Sequence, residues 1–436
     1  MKAVSLTSKI AAGLAAAILV LAPFWAFASV WLASGVGHYT AIRLALEVLF
    51  LLIMLVVAVL LLLDRKLAVK LMQQKWLWPL ASFVILEIVW GLVAYATKAV
   101  SLKALGYAWV VDLRYPLFFV AVYIAASKNA FLSRHWPRLI FIPAAIVAVF
   151  AVLQFAVLPL NFLTHFGYNA HTIFPYETIN HNASYPRAMS FTRGANPLGA
   201  YLLIIATLLL AAFTKHKNMF WKIAGLLLTL AALVFSFSRS AWLGAIVGFV
   251  LLAWLMISSP KLRKLFLGAG AVIIIIFAVL FIGLRNNAHF QNYFLHTQQH
   301  STSKVSSNQG HLSALQNGLS DFARDPLGNG PGTSGPASLY NREAPSRNTE
   351  NYYLMIGEED GWLGLALLLA FFVLVAIELA RQKTKLALGL FASFIGLAVV
   401  NFLLPAWTDI TLAYIFWGLT GIAIATSAGK AKNREV

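Results

Sequence analysis

Ala271-Val-Ile-Ile-Ile-Ile-Phe-Ala-Val-Leu-Phe-Ile-Gly-Leu284 contains no charged side chain and none that forms a hydrogen bond. Together with the apolar residues from about Leu265 onward, it reaches the roughly 20 residues a helix needs to cross a bilayer core. Lys261, Arg263 and Lys264 stand before it, and a long polar stretch follows from Arg285. A spanning helix with a cationic connection at one end and a large hydrophilic loop at the other accounts for that order.

The pattern recurs along the chain. Of its 436 residues 60% are hydrophobic and 11% charged, where a soluble domain carries about 25% charged residues. A water-soluble fold could not hide that much apolar surface, so lipid is the expected solvent for most of the chain. Apolar segments begin near Ile10, Ala41, Leu77, Gly106, Arg138, Pro197, Met219, Ser240, Leu265, Gly361, Leu386 and Thr408. They predict an all-α polytopic membrane protein with about twelve transmembrane helices. Trp76, Trp78, Trp221 and Trp362 lie near segment ends, as interface anchors do. Lys2 and Lys9 precede an apolar stretch that ends near Trp31. It is too long for a signal-peptide core and shows no convincing cleavage site, so it reads as a first retained helix.

Loop charges set the direction. Arg65, Lys66, Lys70 and Lys75, then Lys128, Arg134 and Arg138, then Lys215, Lys217 and Lys222, then Lys261, Arg263 and Lys264, then Arg381, Lys383 and Lys385 occupy alternate connections. Lys2, Lys9, Lys430, Lys432 and Arg434 join them at the ends. An even number of spans puts all of these on one side, which the positive-inside rule makes cytoplasmic; Lys98 and Lys103 are minor exceptions. Residues 1–284 then form nine helices with an outer loop at about 161–196. Residues 285–360 form a long outer loop with a helical segment from about His311 to Phe322. Residues 361–436 supply three more helices and a cytoplasmic tail.

The net charge of +18 follows this topology rather than a nucleic-acid groove, so no nucleic-acid partner is expected. The absence of cysteine excludes disulfides, thiolate metal sites and a Cys nucleophile. No metal-binding spacing such as HExxH occurs, and neither a metal nor a cofactor is expected.

Cations on the outer side run against the usual bias. Arg187, Arg193, Arg239, Arg285, Arg324, Arg342 and Arg347 all map there. Arg239, in Phe235-Ser-Phe-Ser-Arg-Ser-Ala-Trp242, stands at a tight turn between two apolar helices. Its planar fork suits a diphosphate; snorkelling to lipid headgroups is the alternative. Arg193 precedes Gly194 and a helix start at Pro197, a plausible anion site or an ordinary cap sequence. Arg114 shares a predicted span with Asp112, and a structural ion pair or a polar contact within the bundle is its expected role. Glu350 is either a general base or a first-turn residue complementing a helix dipole. His311 is a proton-transfer or phosphate-binding candidate, or simply solvated. His289, His296 and His300 follow no metal pattern.

Several of these pieces, taken in order, resemble the O-antigen ligase and polymerase family. They are Arg193-Gly-Ala-Asn-Pro-Leu-Gly199, Ser238-Arg-Ser240, Asp325-Pro-Leu-Gly-Asn-Gly-Pro-Gly332, Glu350-Asn-Tyr-Tyr-Leu354 and Asp360-Gly-Trp-Leu-Gly364. The strongest likeness covers about residues 190–375. The resemblance implies a GT-C glycosyltransferase of the inner (cytoplasmic) membrane, acting without a metal. Its donor would be a glycan linked to undecaprenyl diphosphate, and its acceptor a hydroxyl of a glycan or glycolipid. Single displacement would invert the anomeric centre. Arg193 and Arg239 would hold the diphosphate, with Arg187 and Arg347 as helpers, and Glu350 would be the leading base with His311 second. Ligases acting on lipid A–core carry a His where Glu350 stands, and many relatives carry an Arg where His311 stands. The rival reading is a twelve-helix transporter or flippase of a lipid-linked saccharide. Its expected signature, repeated ionisable residues at mid-membrane, is not matched by Glu47, Glu87, Asp112, Arg114 and Glu378.

Overall fold

The computed structural model describes residues 2–214, 219–295, 307–347 and 349–432. Lys215, Lys217, His296, His300, Arg434 and most of the polar stretch Thr297–Gln309 lie outside them. The helices in chain order are α1 (Lys2–Leu21), α2 (Trp25–Val36), α3 (Tyr39–Arg43), α4 (Ala45–Leu63), α5 (Arg65–Met72) and α6 (Leu77–Ala96). They continue with α7 (Leu102–Lys128), α8 (Ala130–Ala156), α9 (Ala195–Ala211), α10 (Met219–Phe235), α11 (Arg239–Met256) and α12 (Pro260–Leu284). The last six are α13 (Ala288–Phe290), α14 (Ser307–Arg324), α15 (Gly335–Ser338), α16 (Tyr352–Arg381), α17 (Lys385–Leu403) and α18 (Ile410–Lys432). A two-stranded antiparallel ribbon, β1 (Glu177–Thr178) and β2 (Pro186–Arg187), pairs Glu177 with Arg187.

The chain is an all-α polytopic membrane protein. Among the described residues, 8 helical segments are long and apolar enough to cross a membrane, and Ala195–Ala211, Met219–Phe235 and Ile410–Thr426 are shorter apolar helices. The stretch Ala271–Leu284 lies in α12. Leu51, Leu55 and Leu62 of α4 and Ile275 and Val279 of α12 are between 62% and 82% exposed. Only a hydrocarbon solvent makes such a surface favourable.

Helix α7 is mostly buried and packs along α18. Trp407, Trp417, Tyr115 and Phe371 are buried around that contact, and the Phe371 and Trp417 rings stack with centroids 5.3 Å apart. Helices α11 and α17 meet through small residues. A Cβ on Gly244 would lie 2.6 Å from the Gly396 carbonyl oxygen. Dispersion at such close backbone approach substitutes for the hydrophobic effect, which lipid cannot supply.

The interior gives Arg114 its partner and changes one expectation. Arg114 pairs with Glu47 of α4, not with Asp112: Nη1 lies 2.8 Å from Glu47 Oε1. Its Nη2 donates to the Thr408 carbonyl at 2.8 Å, and Tyr414 donates to Glu47 Oε2 at 2.8 Å. Residues two apart on a helix point to opposite sides, so Asp112 and Arg114 cannot face each other. Asp112 instead lies among the buried carboxylates Glu87, Glu359 and Asp360.

The changed expectation is the start of α16, which begins at Tyr352, nine residues before Gly361. Gly361 adopts φ 67° and kinks the helix. There a Cβ would stand 2.4 Å from the Pro326 carbonyl oxygen, so only glycine fits. The kink exposes carbonyls that the Asp-Pro-Leu-Gly turn covers. Asn329 and Gly330 donate to the Glu358 and Glu359 carbonyls at 2.8 Å each, and Trp362 N–H donates to Pro326 at 3.0 Å. Two motifs about 30 residues apart in the sequence are thus one interlocked structure.

Candidate functional site

A cleft of about 1260 Å³ opens where α9, α11 and α16 begin and α17 ends. Arg187, Arg239, His311 and Glu350 line it, with Asn196 and Phe402. Four of the residues singled out in the sequence, drawn from four separate segments, therefore share one cavity.

Arg187 is placed by β2. Its Nε donates to the Ser236 carbonyl at 2.9 Å, its Nη2 to Asn196 Oδ1 at 2.6 Å, and Nη1 lies 3.6 Å from Glu177 Oε2. A guanidinium has five N–H groups, so each terminal nitrogen retains a donor for a ligand. Burial disfavours the Arg187 charge and pulls its pKa down, an effect that Glu177 partly offsets. An anion in the cleft would further relieve that burden. Glu177 also accepts from the Ala195 N–H at 3.0 Å. A Cβ on Gly194 would meet Glu177 Oε1 at 2.3 Å, so the glycine of the Arg-Gly-Ala-Asn motif permits this contact.

Arg239 is the first residue of α11, held against the ribbon by the turn before it. Phe237 takes the left-handed conformation, φ 46°, and Ala188 N–H donates to the Phe235 carbonyl at 2.8 Å. The cleft thus receives one guanidinium and the amide end of a helix from the same short turn.

His311 and Glu350 complete it from the long loop. His311 Nδ1 contacts Glu350 Oε2, with side chains 41% and 28% exposed. Glu350 does not cap α16. Asn351 does, accepting from Leu354 N–H at 3.0 Å and donating to the Phe402 carbonyl at 3.0 Å. That anchor leaves the Glu350 carboxylate for the cleft. Burial first, and then the positive charge of Arg239, push the His311 imidazole below its ordinary range. The carboxylate against Nδ1 acts in the opposite sense.

Two expected residues lie elsewhere. Arg347 lies within the long loop, 3.9 Å from Asp321, with its backbone N–H donating to Ser338 Oγ at 3.1 Å, and it does not line the cleft. Arg193 lines two neighbouring cavities instead. One of them, about 720 Å³, shares Asn196 and Leu404 with the cleft. The cause is local. The backbone between Arg187 and Asn196 turns, so that Asn196 faces Arg187 while Arg193 projects away. Asn196 itself was passed over in the sequence, although it stands inside a quoted motif. Arg43 was passed over too, although the argument applied to outer-side arginines covers it equally. Among the described residues no group of three His, Asp or Glu is arranged to hold a metal ion.

The fold and cleft define a polytopic membrane protein with a cleft lined by two arginines, a histidine and a glutamate at the loop-bearing end of its helices. Residues 224–369 match the family model described as O-Antigen ligase. The match supports the O-antigen ligase and polymerase family for this chain, and with it a ligase- or glycosyltransferase-like enzyme. It spans Arg239, His311, Glu350 and the kink at Gly361, and stops short of the ribbon that carries Arg187. No curated protein matches the chain.

Proposed function

We propose that this protein transfers a glycan from an undecaprenyl-diphosphate carrier to an acceptor hydroxyl at the outer face of the cytoplasmic membrane. Twelve spans of GT-C type, with both termini cytoplasmic, bring the cleft to that face. The observation that carries the reading is the convergence of Arg187 and Arg239 with the His311–Glu350 pair in one open cleft.

The chemistry follows from the groups present. The acceptor oxygen attacks the anomeric carbon, and the carbon–oxygen bond to the diphosphate breaks. The electron pair leaves on the phosphate oxygen, where Arg187 and Arg239 stabilise the growing charge without a metal. The acceptor proton passes to the His311–Glu350 pair, and a single displacement inverts the sugar carbon. Burial and Arg239 favour a neutral imidazole, the form that accepts a proton, and the contact with Glu350 stabilises the cation once formed. Glu350 thus takes the place that a histidine holds in lipid A–core ligases, with His311 as its partner.

The test is transfer from a lipid-linked donor by purified Arg239→Ala and Glu350→Gln proteins. Arg239→Ala is expected to lose about 100- to 1000-fold in rate, the usual effect of removing one charge-stabilising donor. Near wild-type turnover in both folded variants would remove the mechanism. Movement of the donor across liposomes with no covalent transfer would replace it with a carrier.

A further inference from the structure

Beyond the cleft, on the far side of Arg193, lies a partly open cavity of about 680 Å³, counting the solvent space at its mouth. Trp25, Tyr39, Arg43, Tyr107, Arg114 and Arg193 form its characteristic walls, with Glu47 and Asp409. Its charges are unequally committed. Arg114 and Glu47 neutralise each other at 2.8 Å. Asp409 starts α18 and accepts from the Thr411 and Leu412 N–H groups at 2.9 and 3.3 Å. Arg43 donates to the Tyr107 hydroxyl at 2.9 Å and has no carboxylate within ion-pair distance among the described residues. Arg193 forms no hydrogen bond or ion pair within 4 Å among the described residues, and its electrostatic neighbours are Asp409 and Tyr39. Three wall cations against two wall carboxylates leave one positive charge, which suits a monoanion better than a phosphate dianion.

The site is built rather than incidental. Trp25 Nε1 donates to the Arg43 carbonyl at 2.9 Å and fixes the end of α3. Tyr107 packs on Tyr340 of the long loop at 4.8 Å. That loop is tied to the start of α7 by Asn341, which accepts from Ser101 N–H at 3.0 Å. Aromatic faces beside arginines match a pyranose ring with a carboxylate. The 720 Å³ cavity shares Arg193, Thr408 and Asp409 with this one and Asn196 with the cleft, so it lies between the two and has walls in common with both.

We infer that the cavity between Arg43 and Arg193 binds a carboxylated sugar residue of the glycan handled in the cleft. This rests on the transferase reading for its place in the reaction, but its binding test does not require transfer. The probe is a glucuronic-acid-containing trisaccharide, titrated calorimetrically against its carboxyl-reduced neutral counterpart, with the full-length protein in nanodiscs of neutral lipid. The acidic form is expected to bind about tenfold tighter, the scale of one charge-assisted contact. Arg43→Gln should abolish that preference, Arg43→Lys should restore part of it, and Glu350→Gln, deficient in transfer, should keep it. Equal binding of the two forms by the wild type overturns the inference, whether or not Arg43→Gln folds. So does an unchanged preference in a folded Arg43→Gln protein. Full competition by short-chain phosphatidylglycerol would make the cavity a lipid headgroup site and also overturn it. Transfer assays with the acid placed only on the donor or only on the acceptor then identify its source, as the arm that Arg43→Gln slows.

Discussion

Two opposite-charge pairs join distant parts of this chain, and they have different fates. Arg114 and Glu47 are buried, share Tyr414 and the Thr408 carbonyl as further partners, and leave little for a ligand to contact beyond one cavity wall. His311 and Glu350 are only partly buried and face a cleft of about 1260 Å³ that also holds Arg187 and Arg239. The first pair satisfies its charges within the fold, and the second holds them where a reacting molecule can reach. In a low-dielectric interior an ion pair whose terminal nitrogens and carboxylate oxygens are all bonded is a structural joint. One with an open side is available for proton transfer.

The sharpest way to break this contrast is to replace the two pairs and read different quantities. His311→Asn should lower transfer by about 100- to 10,000-fold, the span associated with general acid–base groups, with little change in thermal stability. Rates measured beside a melting curve decide this, and a fall in stability without a specific loss of rate would make His311 structural. Arg114→Ala should instead destabilise by about 3–5 kcal/mol, because it strands Glu47 in the interior. The paired replacement Arg114→Leu with Glu47→Leu should recover much of that loss. Unfolding in detergent measures both, and equal damage by the single and paired changes would contradict the joint.

The pH dependence sharpens the comparison further. His311 is depressed in the folded protein, so its neutral form, and any stability gained from it, is present above the unfolded pKa. Both are lost as pH falls through the depressed value. The acid limb of transfer should therefore lie below the ordinary histidine range. Glu350→Gln removes the group that opposes the depression and should move the limb of the residual activity to still lower pH. A limb that moves upward would reverse the assigned electrostatics. The smallest effect is expected from Arg347→Ala. Its 3.9 Å pairing with Asp321 is partly exposed and worth at most about 1 kcal/mol, and it touches no part of the cleft. A loss of rate as large as that of Arg239→Ala would return Arg347 to the site.

Much of the membrane architecture was legible in the sequence, because it depends on composition and length. Each expected apolar segment lies in a helix, since a backbone in hydrocarbon must satisfy its own hydrogen bonds and helical periodicity is the local way to do so. The chemistry-bearing residue types were legible for a similar reason. An arginine at a helix mouth and a carboxylate before a helix stand out against an apolar background, whatever their neighbours. The start of α16 was not legible. The apolar signal begins only after Gly361, while the preceding helical turns depend on Asn351 as cap and on the loop docked at the kink.

Partnership was decided by tertiary structure alone. Arg114 chose Glu47 over Asp112 because helical rotation sends near neighbours in sequence to opposite sides, while packing brings α4 against α7. Arg187 joined the cleft and Arg193 left it because a two-residue ribbon and the turn at Phe237 set their directions. Sequence determines which groups must avoid lipid. Which of them meet depends on distances and angles fixed only once the helices are packed.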